Sequence, residues 1–203
     1  MRKKLDQIGS LRSGFQLREA VRPDREGRET LIQLAHVRPD GTVATADLVR
    51  MDVDASAGRL EEFRAAQGDV LLRSRGANYG AAVVPPDCPA GAIVVTPLYM
   101  LKLLPEAPVI PEYVAWYVNR EEIQAELAAE ARGSHIPTVS IRIFAALELP
   151  VPPLDVQLRI AAADALLRQE WTLTQELLAR RTAFIRASLD TLIARYDRAP
   201  KKD

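Results

Sequence analysis

The stretch from Leu154 to Ala199 contains neither glycine nor proline. Three prolines, Pro150, Pro152 and Pro153, precede it, and prolines are tolerated at a helix start because the first amides have no intrahelical partner. Asp155 also places a negative charge near the positive end of the helix dipole. The pattern predicts one helix that ends near Tyr196. About forty residues at ~1.5 Å each would form a rod roughly 60 Å long, more than a compact domain of this size needs for its own core.

One face of this predicted helix is mainly apolar, because such residues recur at steps of three and four. The face comprises Ile160, Ala163, Leu167, Trp171, Thr174, Leu178, Ile185, Leu189, Leu192 and Tyr196, and Arg181 interrupts it. The spacing is typical of a helix that packs lengthwise on another helix. The helix could fold back on its own domain or pair with a helix of another chain or copy. We favour pairing, because the chain has no second helical segment of comparable length, and we take six of these residues as the pairing set: Ile160, Leu167, Trp171, Leu178, Ile185 and Leu192.

Composition allows one substantial domain plus an appendage. The chain has 203 residues, of which 48% are hydrophobic, enough for a packed core. Lys plus Arg and Asp plus Glu both number 27, so the net charge does not by itself indicate a nucleic-acid-binding protein. Most of the cationic residues are arginines, which suit forked contacts with phosphates and guanine edges.

Cysteine and histidine are too scarce for a disulfide framework or a structural zinc site. Cys88 is the single cysteine, and His36 and His135 are the two histidines, so we expect no metal and no cofactor. No apolar run approaches 18 residues, and residues 1–6 lack the hydrophobic segment of a secretory signal. We therefore expect a soluble, cytoplasmic protein with no membrane partner.

Residues 1–150 alternate short apolar runs with turn residues, which predicts an α+β domain of mixed strands and helices. Strands are expected at residues 30–37, 70–76, 81–84, 91–95 and 98–104, and helices at 59–66, 110–118 and 120–131. The predicted organisation is a mixed domain at 1–150, one long coiled-coil-forming C-terminal helix at 151–198 and a tail at 199–203.

Two loops carry residues suited to binding. In the first, Gly76 and Gly80 would let the backbone approach a ligand closely, although they could also be plain hairpin glycines. The candidates in this loop are Arg73, Arg75, Asn78 and Tyr79. The second loop, RGSHIPT at residues 132–138, offers Arg132, Ser134, His135 and Thr138.

No catalytic constellation has a usable spacing. The sequence lacks phosphate-cradling, dinucleotide-binding, zinc-protease and nucleophile-elbow motifs. Ser134 and His135 are adjacent, but neighbours in sequence seldom form a nucleophile–base pair, and no orienting carboxylate is evident. Their loop could be a simple glycine-hinged connection, a binding loop or, least favoured, a catalytic pair. We expect no catalytic residues.

The order of these segments resembles the specificity (S) subunit of type I restriction-modification systems. The resemblance spans essentially the whole chain. It is carried by LDQIG at residues 5–9 with Gly14, GDVL at 68–71 before Arg75, Gly76 and Gly80, Gly133-Ser134 with Ile136-Pro137, and, most specifically, LPVPPLDVQLRI at 149–160. In that family each target-recognition domain is followed by such a helix, and a full subunit has two of these units with antiparallel helices. This chain has one unit and looks like a half subunit.

The resemblance implies a non-catalytic subunit that recognises half of a bipartite site in double-stranded DNA. It would direct a DNA adenine methyltransferase (M) subunit to the site, with a restriction subunit as an optional further partner in phage defence. The single unit implies pairing with a second copy or with another half subunit. The loop residues above would contact DNA, and Arg22 and Arg25 would contact phosphates.

Three alternatives to this implication stay open. The first is a protein-interaction module of a defence complex that does not read DNA, which the zero net charge favours. The others are an enzyme that acts through His135 and a truncated relic of a full-length subunit.

Overall fold

A computed structural model of the protein describes residues 1–76, 78–133 and 136–197. The chain divides into two compact units, Met1–Ala161 and Ala162–Asp203. The division into a recognition domain at 1–150 and a pairing helix at 151–198 is a functional one and stays a prediction. The predicted fold class, a mixed α+β domain followed by one long helix, is confirmed.

The first unit is built from short strands and helices joined by turns and loops. The strands are β1 (Arg2–Lys4), β2 (Gly9–Ser13), β3 (Glu29–Ile32), β4 (Val49–Met51), β5 (Val70–Arg73), β6 (Ala81–Val83), β7 (Ile93–Val94), β8 (Leu98–Leu103) and β9 (Glu148–Pro150). The helices are α1 (Ala57–Leu60), α2 (Pro111–Val118), α3 (Glu121–Glu130), α4 (Ile141–Ala146) and α5 (Leu154–Asp197). The strand predicted at 30–37 is shorter than expected, because the chain turns into a 3-10 helix at Leu34–His36.

The central sheet has four antiparallel strands in the order β2-β8-β5-β6. β2 runs so close to β8 that a Cβ at Gly9 would lie 2.6 Å from the carbonyl oxygen of Lys102. A side chain at position 9 would clash with this backbone, so only glycine fits there. Leu5 and Ile8, which precede it in the LDQIG segment, are fully buried. This sheet packs against α2, α3 and α4 to form the largest core cluster.

A second sheet has the order β4-β3-β7, with β3 and β7 parallel. Arg64 links the start of β3 to the segment before β7. Its guanidinium lies 2.9 Å from a carboxylate oxygen of Glu29 and donates to the carbonyl of Gly91 at 2.7 Å. Charge-assisted pairs of this kind are stronger than neutral hydrogen bonds. Glu29 accordingly raises the pKa of the Arg64 guanidinium.

The two ends of the first unit meet in a small third sheet, in which β1 pairs antiparallel with β9. The amide of Leu5 continues the pairing by donating to the carbonyl of Leu147 at 3.1 Å. Tyr113 and Phe144 are among the largest side chains buried in the adjoining core. Residues far apart in sequence therefore close the unit.

The GDVL segment forms a turn followed by a buried strand. Gly68 has a φ of +87°, a left-handed conformation that favours glycine. The carboxylate of Asp69 accepts from the amide of Ala66 at 2.8 Å and lies 3.4 Å from Lys102 Nζ. The next two residues, Val70 and Leu71, are fully buried. Each position of this segment thus has a physical reason for its residue type.

Gln157 hydrogen-bonds the first turn of α5 to the loop before α2. Its side chain is fully buried, and its Oε1 accepts from the amide of Ile110 at 3.0 Å. Its Nε2 donates to the carbonyls of Pro108 at 2.8 Å and Pro152 at 2.9 Å. The two N–H groups of the Gln157 amide therefore satisfy two backbone carbonyls, while its oxygen satisfies a backbone amide.

The predicted long helix is confirmed: α5 is continuous over 44 residues. None of the helices in the described part of the chain is long and apolar enough to cross a membrane.

Candidate nucleic-acid interface

The structure places the two predicted loops side by side. The amide of Val139 donates to the carbonyl of Ser74 at 2.8 Å, and Arg75 pairs with Thr138 as in an antiparallel ladder. Arg132 and Thr138 exchange two backbone hydrogen bonds of 3.0 and 2.8 Å. A short backbone ladder therefore brings Arg75, Thr138 and Arg132 together from segments that are far apart in sequence.

The side chains on this ladder have the chemistry that groove recognition requires. Arg75 and Arg132 are exposed, Thr138 is half-buried and Ile136 is 56% exposed. Arginine can bind phosphates or guanine edges, the threonine hydroxyl can donate to or accept from base edges, and an apolar side chain can contact a thymine methyl group. We call Arg75, Arg132, Ile136 and Thr138 the paired-loop surface.

Both loops are tied to the sheet underneath. The Ser74 hydroxyl donates to the carbonyl of Pro97 at 2.6 Å, and the Ser74 amide donates to the same carbonyl at 3.2 Å. The Tyr99 hydroxyl donates to the carbonyl of Val139 at 3.1 Å. Rigid support of this kind makes a binding surface more precise.

Two predicted contact residues are engaged within the domain: Arg73 is half-buried and Tyr79 is buried. The guanidinium of Arg73 donates to the carbonyls of Val37 and, at 3.3 Å, Leu34, and burial lowers the pKa of this guanidinium. Tyr79 is 6% exposed and belongs to the main core cluster. Arg73 therefore caps the end of the Leu34–His36 turn and Tyr79 packs, so we leave both out of the proposed DNA-contacting set.

Of the remaining predicted contact residues, the structure describes Asn78, Arg22 and Arg25. Asn78 is half-buried, and its Oδ1 has no hydrogen-bond partner among the described residues. Ser134 and His135 lie outside the described residues. Arg22 and Arg25 are exposed on a segment that joins the other sheet, where the amide of Asp24 donates to the carbonyl of Arg50 at 2.8 Å. The backbone ladder therefore does not include these two arginines.

Two amide side chains that the sequence analysis missed hold the far end of the first loop. Asn119 binds both backbone groups of Ala81, and Gln124 accepts from the amide of Tyr79 at 2.9 Å. A polar residue at a helix end is too common in sequences to single out either of them. Among the residues that the structure describes, no group of three or more His, Cys, Asp or Glu could hold a metal ion.

The second unit presents a broad apolar face. Five of the predicted pairing residues are exposed: Leu167, Trp171, Leu178, Ile185 and Leu192. A neighbouring row that the sequence analysis missed is also exposed, and it comprises Leu166, Leu173, Leu177 and Phe184. Ile160 differs, because it is half-buried against the core of the first unit. Large exposed apolar surfaces usually mark interaction sites.

Three solved structures with a similar fold come from type I restriction-modification (R-M) systems. A chain from work on the complex assembly and conformational transition of the type I R-M system matches with a TM-score of 0.63 and 19% identity, over 95% of this chain and 43% of its own. The type I R-M S subunit from M. genitalium has a TM-score of 0.52 and 15% identity, over 80% of this chain and 37% of its own. The HsdS subunit from Thermoanaerobacter tengcongensis has a TM-score of 0.60 and 18% identity, over 100% of this chain and 50% of its own.

Sequence comparison adds no further relative: no protein-family model matches the chain, and no curated protein matches it. The chain spans half or less of the length of each of these three structures. Identities below 20% establish a shared fold and leave function to be argued from the site. Over most or all of its length, this chain has the fold of the specificity subunits of type I R-M systems.

Proposed function

We propose that this protein is a DNA-recognition subunit that reads half of a bipartite site and directs an adenine methyltransferase to it, within a type I-like R-M or related phage-defence complex. The paired-loop surface is the observation that carries the proposal. Its backbone ladder presents two exposed arginines, Arg75 and Arg132, on a rigid support. The fold shared with S subunits supports the same conclusion.

Within this proposal, the paired-loop surface reads bases, and other residues position the protein on the duplex. Arg75 lies where a strand end meets the second loop, which suits a base-edge contact. Asn78, Ser134 and His135 remain candidates on the same two loops. Arg22 and Arg25, on the segment beside β4, are proposed phosphate contacts, which fix orientation without reading sequence. No catalytic residue, metal or cofactor is part of the proposed function.

We further propose that α5 pairs with the helix of a second copy or of another half subunit. Arg181 supports antiparallel pairing, since it lies on the apolar face between Leu178 and Ile185. In a parallel, in-register pair each seam residue faces its own copy, so two like charges would meet at Arg181. Antiparallel helices place Arg181 opposite a different residue.

The broad face of α5 also offers room for the methyltransferase. A seam between two helices uses a narrow apolar stripe, whereas the row formed by Leu166, Leu173, Leu177 and Phe184 lies beside that stripe. Contact of this row with an M subunit would cover apolar surface that helix pairing alone leaves exposed. A restriction subunit would be recruited through the M subunit.

Selection of random duplex DNA tests the proposal directly. The purified protein would be used with and without a cognate adenine methyltransferase subunit, at about 0.15 M salt, because affinities for DNA depend on salt. We expect an enriched motif whose two halves are inverted repeats if the partner is a second copy. Enrichment that requires the methyltransferase would also support the proposal and would show that affinity depends on assembly.

Substitution of Arg75 by alanine should weaken binding to the selected site by about 1–3 kcal/mol. The matched control is Arg50→Ala, which removes the same charge from an exposed position on β4. It should change specific binding much less. Equal losses of affinity for the selected site in the two variants would remove Arg75 from the residues proposed to read bases. If folded wild-type protein enriched no DNA motif at all, the protein would instead be better explained as a protein-interaction module.

A further inference from the structure

The β5–β6 loop, residues 74–80, is held from outside the sheet by two amide side chains at the α2–α3 junction. Asn119 Oδ1 accepts from the amide of Ala81 at 2.7 Å, and Asn119 Nδ2 donates to the carbonyl of Ala81 at 2.8 Å. Gln124 Oε1 accepts from the amide of Tyr79 at 2.9 Å, while its Nε2 donates to the carbonyl of Val118 at 2.8 Å. Gln124 therefore holds the loop itself, and Asn119 holds the first residue of the strand that follows it.

Asn119 hydrogen-bonds the outer backbone groups of the edge strand β6, which a neighbouring strand would otherwise pair with. β6 is the last strand of its sheet, and one side chain satisfies both backbone groups of Ala81. The approach is close, because a Cβ at Gly80 would lie 2.9 Å from Asn119 Oδ1. A side chain at position 80 would therefore displace the Asn119 amide from this contact.

The described residues at the two ends of the loop are fixed, and Arg75 between them is exposed. Ser74 is fixed by its bonds to Pro97 and Val139, and Tyr79 is fixed by Gln124. Arg75 lies between these two anchors and is exposed. Asn78 Oδ1 in the loop and Arg73 Nε at the end of β5 are buried without a hydrogen-bond partner among the described residues.

We propose that Asn119 and Gln124 are positioning residues for sequence reading: they act through the loop and set where Arg75 lies relative to the bases. This inference rests on the proposed function. A base contact requires tight hydrogen-bond geometry, whereas attraction to phosphates tolerates displacement. Loosening the loop should therefore reduce specific binding more than non-specific binding.

Hydrogen exchange on the full-length protein tests the anchoring without DNA. In Gln124→Ala we expect the Tyr79 amide to exchange about five- to tenfold faster, the factor for losing one net hydrogen bond. Asn119→Ala should do the same for the Ala81 amide. Gln124→Glu keeps an oxygen that can accept from Tyr79 but loses the donor to the Val118 carbonyl, so exchange at Tyr79 should fall between wild type and Gln124→Ala. Glu126→Ala, at an exposed position of the same helix, is the matched control. Unchanged exchange in both alanine variants would overturn the anchoring.

DNA binding tests the role in specificity. For Gln124→Ala and Asn119→Ala we expect the ratio of specific to non-specific affinity to fall about tenfold or more, as for one lost base contact, with unchanged non-specific affinity and salt dependence. A parallel fall of both affinities would show a merely structural role and overturn the proposal. A wild-type protein without sequence preference would overturn the proposed function and this role with it, while faster exchange at Tyr79 would still show the anchor.

Discussion

Replacing Gln157 by alanine should destabilise the first unit strongly. The side chain is fully buried and makes three hydrogen bonds, to Ile110, Pro108 and Pro152. Losing three hydrogen bonds at about 1 kcal/mol each, plus about 0.8 kcal/mol for one buried methylene, gives a loss of about 4 kcal/mol in the free energy of unfolding. For a unit of this size that corresponds to a fall in Tm of about 8–16 °C.

Thermal unfolding, followed by circular dichroism at one protein concentration, measures this loss. The matched control is Gln169→Ala, the same substitution at an exposed position of the same helix. Such surface changes usually stay within about 0.5 kcal/mol, so its Tm should move by no more than about 2 °C. If the two variants lose similar stability, the buried hydrogen bonds of Gln157 are not what holds the start of α5.

Two further predictions concern pairing and pH. Trp171→Glu with Leu178→Glu should raise the Kd of self-association at least about a hundredfold, because unpaired charges would be buried, and sedimentation would then give the monomer mass. As a control, Gln169→Glu with Thr172→Glu, away from the pairing set, should leave the mass of the assembly unchanged. If the variant with Trp171→Glu and Leu178→Glu kept the mass of the wild-type assembly, helix pairing would be contradicted. Burial lowers the pKa of His36, so the unfolded chain takes up a proton more readily, and stability should fall as pH drops below about 6.5. In His36→Asn the fall in Tm between pH 7 and pH 5.5 should be smaller, and equal falls would show that His36 does not contribute to it.

Local signals in the sequence were sufficient for most of the architecture. The long helix follows from its periodicity and from the absence of glycine and proline, and both are properties of neighbouring residues. The strands β5 and β8 follow from apolar runs between turn residues. In contrast, the pairing of β1 with β9 joins Lys3 to Leu149, and nothing in either short segment specifies a partner so far along the chain.

The candidate site was predictable as a pair of loops but not residue by residue. Arg73 and Arg75 are two residues apart and have the same charge, yet Arg73 points to the carbonyls of Leu34 and Val37 and Arg75 is exposed. The difference arises because the Leu34–His36 turn packs beside Arg73. That contact joins residues far apart in sequence, so the local pattern of a strand does not predict it. The backbone ladder between Arg75 and Thr138 is long-range in the same way.

The direction of helix pairing can be tested by placing single cysteines on the apolar face. The native thiol is removed first with Cys88→Ser, and two variants then carry Leu167→Cys or Leu192→Cys. These positions are 25 residues apart, which is about 37 Å along a helix at 1.5 Å per residue. That distance far exceeds the span of a disulfide, whose Cα atoms lie about 4.4–6.8 Å apart.

If two copies pair antiparallel over the face from Leu167 to Leu192, each end of the face lies opposite the other end of the partner. Mild oxidation should then cross-link a mixture of the two variants and leave each variant alone largely uncross-linked. Parallel pairing gives the reverse result, because Leu192→Cys would meet its own copy and cross-link without the other variant. Comparison of each variant alone with the mixture therefore distinguishes an antiparallel pair, whose two recognition domains would lie at opposite ends of the helix pair, from a parallel pair, which would place them at the same end. The antiparallel arrangement suits an interrupted site whose halves are read by separate copies, because it separates the two recognition domains along the helix pair.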